Sequence, residues 1–238
     1  MQVTEIYRSL QGESSYTGLP CIFVRLTGCN LRCAWCDSEY TFSGGKRMAL
    51  DEVMAEVYAV SRAGLADGDP VTAVPELVEI TGGEPMLQER EVVPLMERLL
   101  AEGYQVMLET SGERELERVP TQVVKIVDVK CPESGEGASF RVENLRTLTA
   151  RDELKFVLAG RKDYEFARAF LREHRLAAGP AAVIFSPAFA RTARGSRDVT
   201  HCALDPRELA EWILQDGLHI RLGLQVHKFI WDPGQKGV

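Results

Sequence analysis

Three cysteines, Cys29, Cys33 and Cys36, lie within eight residues of the chain. They follow an apolar segment, residues 21–26, which predicts a buried strand. The Cys-x3-Cys-x2-Cys spacing brings three thiolates to one loop, where they can share a metal centre. A structural zinc site normally closes with four protein ligands, and simple ferredoxin clusters also use four cysteines. The loop therefore predicts a metal centre with one open coordination position, just past the end of a strand.

The open position favours chemistry over structural support. In an iron–sulfur cluster, an iron without a protein ligand can bind a small molecule and pass it an electron. The alternative is a zinc site completed by Cys21, Cys131, Cys202 or a histidine. Zinc ligands usually come as two close pairs, so the spacing favours a cluster. Six cysteines, three of them crowded together, also suit a reducing compartment better than a disulfide framework.

The composition is that of an ordinary globular protein of 238 residues, with 45 % hydrophobic and 26 % charged residues. A net charge of -7 argues against a nucleic-acid partner, because such binding depends on neutralising phosphates. A small-molecule substrate fits better. No apolar run is long enough for a membrane span and the N-terminus lacks signal-peptide features, so we expect a cytoplasmic protein with no membrane contact.

Predicted strands alternate with predicted helices along the chain. The strands are expected at residues 21–26, 76–80, 104–108, 123–127, 153–158, 182–185 and 220–229. The helices are expected at residues 49–62, 89–102, 163–177 and 206–215. This alternation predicts a mainly parallel sheet, and polar motifs follow the strands, as in a β/α barrel. A doubly wound sheet would give a similar pattern, but no Gly-x-Gly-x-x-Gly motif follows the first strand.

Two further motifs carry possible ligand contacts. In residues 81–85, Thr-Gly-Gly-Glu-Pro, paired glycines let the backbone approach a ligand closely; the alternative is an ordinary turn. Near the N-terminus, Gln11 and Glu13 suit the amide and amino edge of a guanine-like or pterin-like ring. The fork of Arg25 suits a carboxylate. The alternative here is a solvated loop with a surface arginine.

The cysteine loop and the segment 81–85 resemble the radical S-adenosylmethionine (SAM) enzymes, in which three cysteines hold a 4Fe-4S cluster and SAM chelates the fourth iron. The resemblance implies an α/β fold, a partial (β/α)6-type TIM-like barrel, with residues 1–238 as a single domain. Within that class the chain resembles the 7-carboxy-7-deazaguanine synthase family over nearly its whole length. The segments that carry this likeness are 10–13, 18–20, 23–38, 40–42, 81–85, 109–112, 154–157 and 225–228.

The resemblance implies a lyase that contracts the ring of 6-carboxy-5,6,7,8-tetrahydropterin to 7-carboxy-7-deazaguanine with release of ammonia, in queuosine and 7-deazapurine biosynthesis. The implied cofactors are the 4Fe-4S cluster, SAM and Mg²⁺, and no side chain is expected to do the radical chemistry itself. An alternative is a radical SAM activase of glycyl-radical enzymes, which has no reason to carry Gln11, Glu13 and Arg25. A non-catalytic iron–sulfur or zinc module is the alternative from another class.

The same resemblance implies the site residues. Cys29, Cys33 and Cys36 would hold the cluster. SAM would contact Trp35, Cys36, Asp37, Gly83, Glu84, Ser111, Lys130, Cys131, Pro132, Ser186, Pro187, Ala188 and Phe189. The pterin would contact Leu10, Gln11, Gly12, Glu13, Arg25, Thr81 and His227.

Three features depart from the family's pattern, and one of them is Ser14, which stands where Gly is expected. Ser38 stands at the magnesium position, where Thr is usual, and keeps the hydroxyl that a hard cation needs. Residues 130–132 read Lys-Cys-Pro where several relatives have Ser-Pro-Lys. A homodimer and an electron donor such as flavodoxin or ferredoxin are also implied, and His227 and Lys228 are expected near the pterin or at a dimer contact.

Overall fold

The computed structural model describes residues 1–63, 76–176, 182–190, 202–232 and 235–237. The strands are β1 Gln2–Leu10, β2 Pro20–Leu26, β3 Lys46–Arg47, β4 Leu77–Gly82, β5 Gln105–Thr110, β6 Val124–Asp128, β7 Glu153–Leu158, β8 Ala182–Pro187 and β9 Arg221–Leu222. They form one sheet in the order β3-β1-β2-β4-β5-β6-β7-β8-β9. In the described part of the chain this sheet is open, with β3 and β9 at its edges.

The strands from β2 and β4 to β9 pair in parallel, and six of them have five or more residues. This confirms the predicted partial barrel. Because parallel strands end at the same edge of the sheet, the loops that follow them meet at one mouth.

The helices are α1 Leu50–Arg62, α2 Glu89–Ala101, α3 Arg161–Glu173, α4 Pro206–Gln215 and α5 His227–Ile230. The first four confirm the predicted helices. The start of α4 is fixed by Asp205, whose side chain accepts from the Arg207 backbone N–H, with Pro206 in the first turn. The predicted end of α3 at 177 lies outside the described residues, and the helix ends earlier, ahead of Arg175 with φ 55°. No helix within the described ranges is long and apolar enough to cross a bilayer.

Inside the barrel, the inward positions change character along the strands. A small apolar cluster formed by Cys21, Phe23, Leu77, Met107, Val124 and Ile126 fills the end where the strands begin. Two or four residues further along each strand, the alternating inward positions become polar, for example Arg25 on β2, Glu79 on β4 and Glu109 on β5. The apolar cluster therefore closes the bottom of the barrel beneath a polar mouth, and Cys21 is buried in it rather than near the other cysteines.

Two predictions of strands need correction. Strand β1 was not predicted; it pairs antiparallel with β2, and its polar residues Glu5 and Tyr7 face Arg25 instead of water. The strand predicted at 220–229 is wrong, because only Arg221–Leu222 is extended and α5 follows. Gln225 and Lys228 of this segment are buried and line the cavity at the mouth of the barrel, which an exposed strand would not allow.

Candidate active site

A cavity opens at the carboxyl ends of the parallel strands, and its walls come from three parts of the chain. The cysteine loop forms one wall, and the polar inward side chains of the strands form the floor. The third wall combines the N-terminal segment 10–13 with the tail residues 225–228. All the residues expected at the cluster, at magnesium and at the pterin line this cavity.

The cysteine loop presents all three of its thiols, unoxidised and half-buried, to the cavity. The Cys36 N–H donates to the Cys33 carbonyl at 3.2 Å, and the Ala34 N–H donates to the Ser134 carbonyl at 2.9 Å. Burial raises the pKa of the Cys33 thiol to about 11 and also raises that of Cys29. Soft thiols facing one cavity from one loop fit an iron–sulfur cluster, whose binding would displace their protons.

The glycine turn after β4 packs directly on the cysteine loop. The Glu84 N–H donates to the Gly28 carbonyl at 2.8 Å. A Cβ atom on Gly83 would lie 2.1 Å from the Gly28 carbonyl oxygen and 2.9 Å from the Cβ of Cys29, so only glycine fits. The turn and the loop therefore hold each other in place.

Glu84, expected at SAM, has a different place in the structure. It is 1 % exposed, and it is not among the described residues that line the cavity. Its carboxylate accepts from the hydroxyls of Thr110 and Ser111, both at 2.7 Å, and from the N–H of Met86 at 3.0 Å. Glu84 thus joins the glycine turn to the end of β5, and Ser111 lines the cavity beside it.

Lys155 lies at the centre of the polar floor and is 2 % exposed. Its ammonium donates to Glu13 Oε2 at 2.8 Å and to Glu109 Oε1, and it lies 3.8 Å from Asp128 Oδ2. Burial opposes its charge, but Glu109 and Glu13 raise the pKa of Lys155 well above its usual value. Burial acts to raise the pKa of Glu13, yet Lys155 lowers it below its usual value, so Glu13 is anionic. Glu109 also accepts from the Thr81 hydroxyl at 3.0 Å.

Gln11 is 3 % exposed, so a solvated loop at this position is excluded. Its side-chain oxygen accepts from the N–H groups of Glu13 and Ser14, and its Nε2 donates to Glu79 Oε2 at 3.1 Å. The amide predicted to meet a ring edge thus also shapes this loop. Burial and the charge of Glu109 raise the pKa of Glu79 to about 8, so this carboxyl group holds a proton at neutral pH.

Arg25 also faces the cavity rather than the surface. Its Nε donates to Glu5 Oε1 at 2.9 Å, its Nη2 donates to the Tyr7 hydroxyl, and Tyr40 donates to the same Glu5 oxygen at 2.7 Å. These contacts fix the plane of the guanidinium, which is what bidentate recognition of a carboxylate requires.

The end of β6 supplies an unused acceptor. Asp128 Oδ2 accepts from Lys130 Nζ at 2.8 Å, but Oδ1 is buried with no hydrogen-bond partner among the described residues. Both residues line the cavity near Cys33. A buried unpaired acceptor calls for a donor, and the hydroxyl, amino and ammonium groups of SAM fit that need. The cavity residues present therefore fit SAM as well as the cluster.

The position expected for magnesium offers hard oxygen donors. Ser38 lines the cavity, with its hydroxyl 3.8 Å from the Cys36 sulfur. In the same cavity, Glu13, Asp37 and His227 each bring one donor atom within 4.8 Å of one another. Lys155 and Lys228 already pair with the two carboxylates, so the Ser38 hydroxyl is the hard oxygen donor expected to bind the cation.

The structure does not bring every residue expected at SAM to this cavity. Within the described residues, those outside its wall are Glu84, Cys131, Pro132, Ser186, Pro187, Ala188 and Phe189. Cys131 is buried in the core, and its thiol donates to the Val129 carbonyl at 3.8 Å. At the end of β8, the Ala188 N–H donates to the Leu158 carbonyl, and Phe189 packs edge-on against Phe229.

Several cavity residues were missed from the sequence: Tyr7, Glu79, Asp128 and Lys155. A usable signal existed for Glu79 and Lys155, since each is a charged residue inside an otherwise apolar strand. A charged side chain that is buried with its strand needs a partner of opposite charge or a hydrogen bond. Such buried charges are therefore candidates for a functional site.

Comparisons with known proteins agree with this geometry. A family model described as "4Fe-4S single cluster domain" matches residues 16–132. The structure of QueE from Escherichia coli is 24 % identical and superposes with a TM-score of 0.68, covering 95 % of this chain and 94 % of that one. A radical SAM methyltransferase from Sphaerobacter thermophilus is 19 % identical, with a TM-score of 0.55, over 89 % of this chain and 67 % of that one.

The partial barrel, with a three-cysteine loop at the mouth and a glycine turn packed on it, defines a radical SAM enzyme. A 7-carboxy-7-deazaguanine synthase of Koribacter versatilis (strain Ellin345) is 65 % identical over 238 residues, the full length of both chains. The chain belongs to the 7-carboxy-7-deazaguanine synthase family.

Proposed function

We propose that the protein converts 6-carboxy-5,6,7,8-tetrahydropterin to 7-carboxy-7-deazaguanine with loss of ammonia, and that it depends on Mg²⁺. The observation that carries the proposal is the shared cavity, which Glu13, Arg25 and the cysteine loop all line and in which Lys155 pairs with Glu13. An anionic carboxylate and a fixed guanidinium in one cavity suit a ring with an amino edge at one end and a carboxylate at the other.

Each wall has a role in this proposal. Glu13, kept anionic by Lys155, would accept from the N–H groups of the pterin, and Arg25 would bind its carboxylate. Cys29, Cys33 and Cys36 would hold the cluster, and Gly83, Ser111, Asp128 and Lys130 would contact SAM. When bound, the cluster and SAM supply a radical that abstracts one hydrogen atom from the substrate. What the chain adds is a fixed placement of the substrate C–H bond and the exclusion of water by the closed floor.

Magnesium would bind Ser38 and the substrate carboxylate. A single protein oxygen is enough for this cation, because it keeps several waters and takes its other ligands from the substrate. Loss of the hydroxyl in Ser38→Ala should therefore abolish the response of the rate to added Mg²⁺, whereas Ser38→Thr should keep it.

The proposed assembly and setting come from the family alone. We propose that residues 1–238 act as one domain, in a cytoplasmic homodimer that takes electrons from a flavodoxin or a ferredoxin. The product would enter queuosine or another 7-deazapurine.

Anaerobic reconstitution tests the proposed function directly. Protein loaded with iron and sulfide, then given SAM, Mg²⁺, dithionite and the carboxypterin, should yield 7-carboxy-7-deazaguanine, identified by mass spectrometry. The matched control omits only the pterin. Cleavage of SAM without a deazaguanine product would refute the substrate, and hydrogen abstraction from a glycyl peptide instead would support the activase.

A further inference from the structure

The tail residues 225–228 tie together two walls of the cavity that belong to different parts of the chain. Lys228 donates to Asp37 Oδ2 at 2.7 Å and to Gln225 Oε1 at 2.8 Å. Gln225 in turn donates to Glu13 Oε1 at 2.9 Å. The Val226 N–H donates to the Gly12 carbonyl at 2.9 Å. The tail thus joins the cysteine loop to the N-terminal segment of the proposed substrate wall.

These contacts continue an unbroken chain of polar contacts around the cavity. From Glu13 the chain passes to Lys155, then to Glu109 and finally to Thr81 at the start of the glycine turn. Both ends of this chain lie beside groups that position the cofactors. Asp37 stands between Cys36 and Ser38, and Thr81 precedes the paired glycines.

Lys228 is the member of this chain that reaches the cysteine loop, and it is 4 % exposed. Its surroundings are Asp37, Gln225 and the ring of Phe189, whose centroid lies 5.1 Å from the ammonium. The Lys228 side chain is buried, whereas that of Asp37 is 43 % exposed, so the constraint comes from the lysine. If the carboxylate were lost, the buried ammonium would keep only Gln225 and the ring, with no counter-charge. In contrast, an exposed ion pair would add little constraint.

We propose that Lys228 is a positioning residue. It acts through Asp37 to hold the cysteine loop at a fixed distance from the N-terminal segment of the proposed substrate wall. This proposal rests on the proposed function for the identity of the substrate, but not for its effect on the loop. Lys228 itself need not touch the reacting atoms. Its role is to keep the cluster and the substrate at a fixed separation, on which the transfer of one hydrogen atom depends.

Hydrogen–deuterium exchange of the full-length protein tests this proposal, with and without the reconstituted cluster. In Lys228→Met, backbone amides of residues 29–38 should exchange about tenfold faster than in the wild type, because the loop loses a charged hydrogen bond. Exchange in β4 and β5 should not change. The control is Lys162→Met, which removes the same group from an exposed position on α3. Unchanged exchange in residues 29–38 would overturn the proposal, and so would equal acceleration throughout the sheet.

A second variant breaks the same pair from the other side. Asp37→Asn should loosen residues 29–38 by a similar factor, and the double variant should be no looser than the more affected single variant. Additive effects would contradict a role exerted through Asp37.

Turnover then separates positioning from a purely structural effect. Lys228→Met should cleave more SAM per deazaguanine formed than the wild type, while its iron content stays the same. An unchanged ratio would contradict the positioning role. If the wild type makes no deazaguanine, the proposed function fails, and the exchange experiment still decides the role of Lys228.

Discussion

Glu79 is a carboxyl group that the fold accepts mainly in its neutral form. It lies on β4 and accepts a hydrogen bond from the Gln11 side chain. Both burial and the nearby charge of Glu109 disfavour its ionisation. In the unfolded chain its pKa returns to about 4.5, whereas the folded value is about 8. Between these values the unfolded state loses the proton and the folded state keeps it. Stability therefore falls as the pH rises through this interval and levels off above about pH 8.

Glu79→Gln should remove this pH dependence, because the amide resembles the neutral acid and cannot ionise. As the pH rises from about 5 to about 8, the free energy of unfolding of the wild type should fall relative to that of the variant. The expected difference is up to about 1.4 kcal/mol for each pH unit. Urea unfolding at several pH values measures this difference. Glu97→Gln, at an exposed position on α2, makes the same chemical change away from the cavity. Parallel pH profiles for wild type and Glu79→Gln would contradict the prediction.

At the scale of elements, the strands that were predicted correctly are those whose burial follows from their own mainly apolar residues. Strands β4 and β6 are short and mostly apolar, and they are buried on both faces, so a parallel sheet buries them despite Glu79 in one and Lys125 in the other. Strand β1 and the tail differ, because their polar residues are buried only through distant partners. Glu5 faces Arg25, and Lys228 faces Asp37. A periodicity rule assigns such residues to solvent, so it missed β1 and extended the last strand too far.

The glycine turn after β4 gives a prediction at this scale. In Gly83→Ala the new methyl group would overlap the Gly28 carbonyl and the Cβ of Cys29, so the cysteine loop has to move away. We expect the variant to fold and to bind much less iron after reconstitution, as measured by iron analysis and the visible absorption of the cluster. Gly103→Ala is the control, since its Cβ meets nothing within 4 Å, and the strain of its φ of +88° costs about 1 kcal/mol far from the cavity. Wild-type iron content in Gly83→Ala would refute this account of the turn.

Across the whole molecule, the two ends of the barrel have separate tasks. The mouth gathers charges that are paired around a cavity, whereas the closed end packs apolar side chains and pairs the buried Lys125 with Asp152. Asp152, just before β7, accepts from the N–H groups of Lys125 and Thr149 and pairs with the Lys125 ammonium at 3.0 Å. This ion pair joins β6 to β7 away from the cavity, so we expect it to serve stability alone.

Lys125→Met should therefore destabilise the protein without changing its chemistry. Removing the ammonium leaves the Asp152 carboxylate buried with only its backbone donors, which costs about 3 kcal/mol. Asp152→Ala should cost more, because two backbone N–H groups lose their acceptor as well. Urea unfolding measures both losses, while iron content and the ratio of SAM cleaved to product formed, taken per folded molecule at low temperature, should match the wild type. A changed ratio in Lys125→Met would mean that the closed end of the barrel also controls the geometry of its mouth.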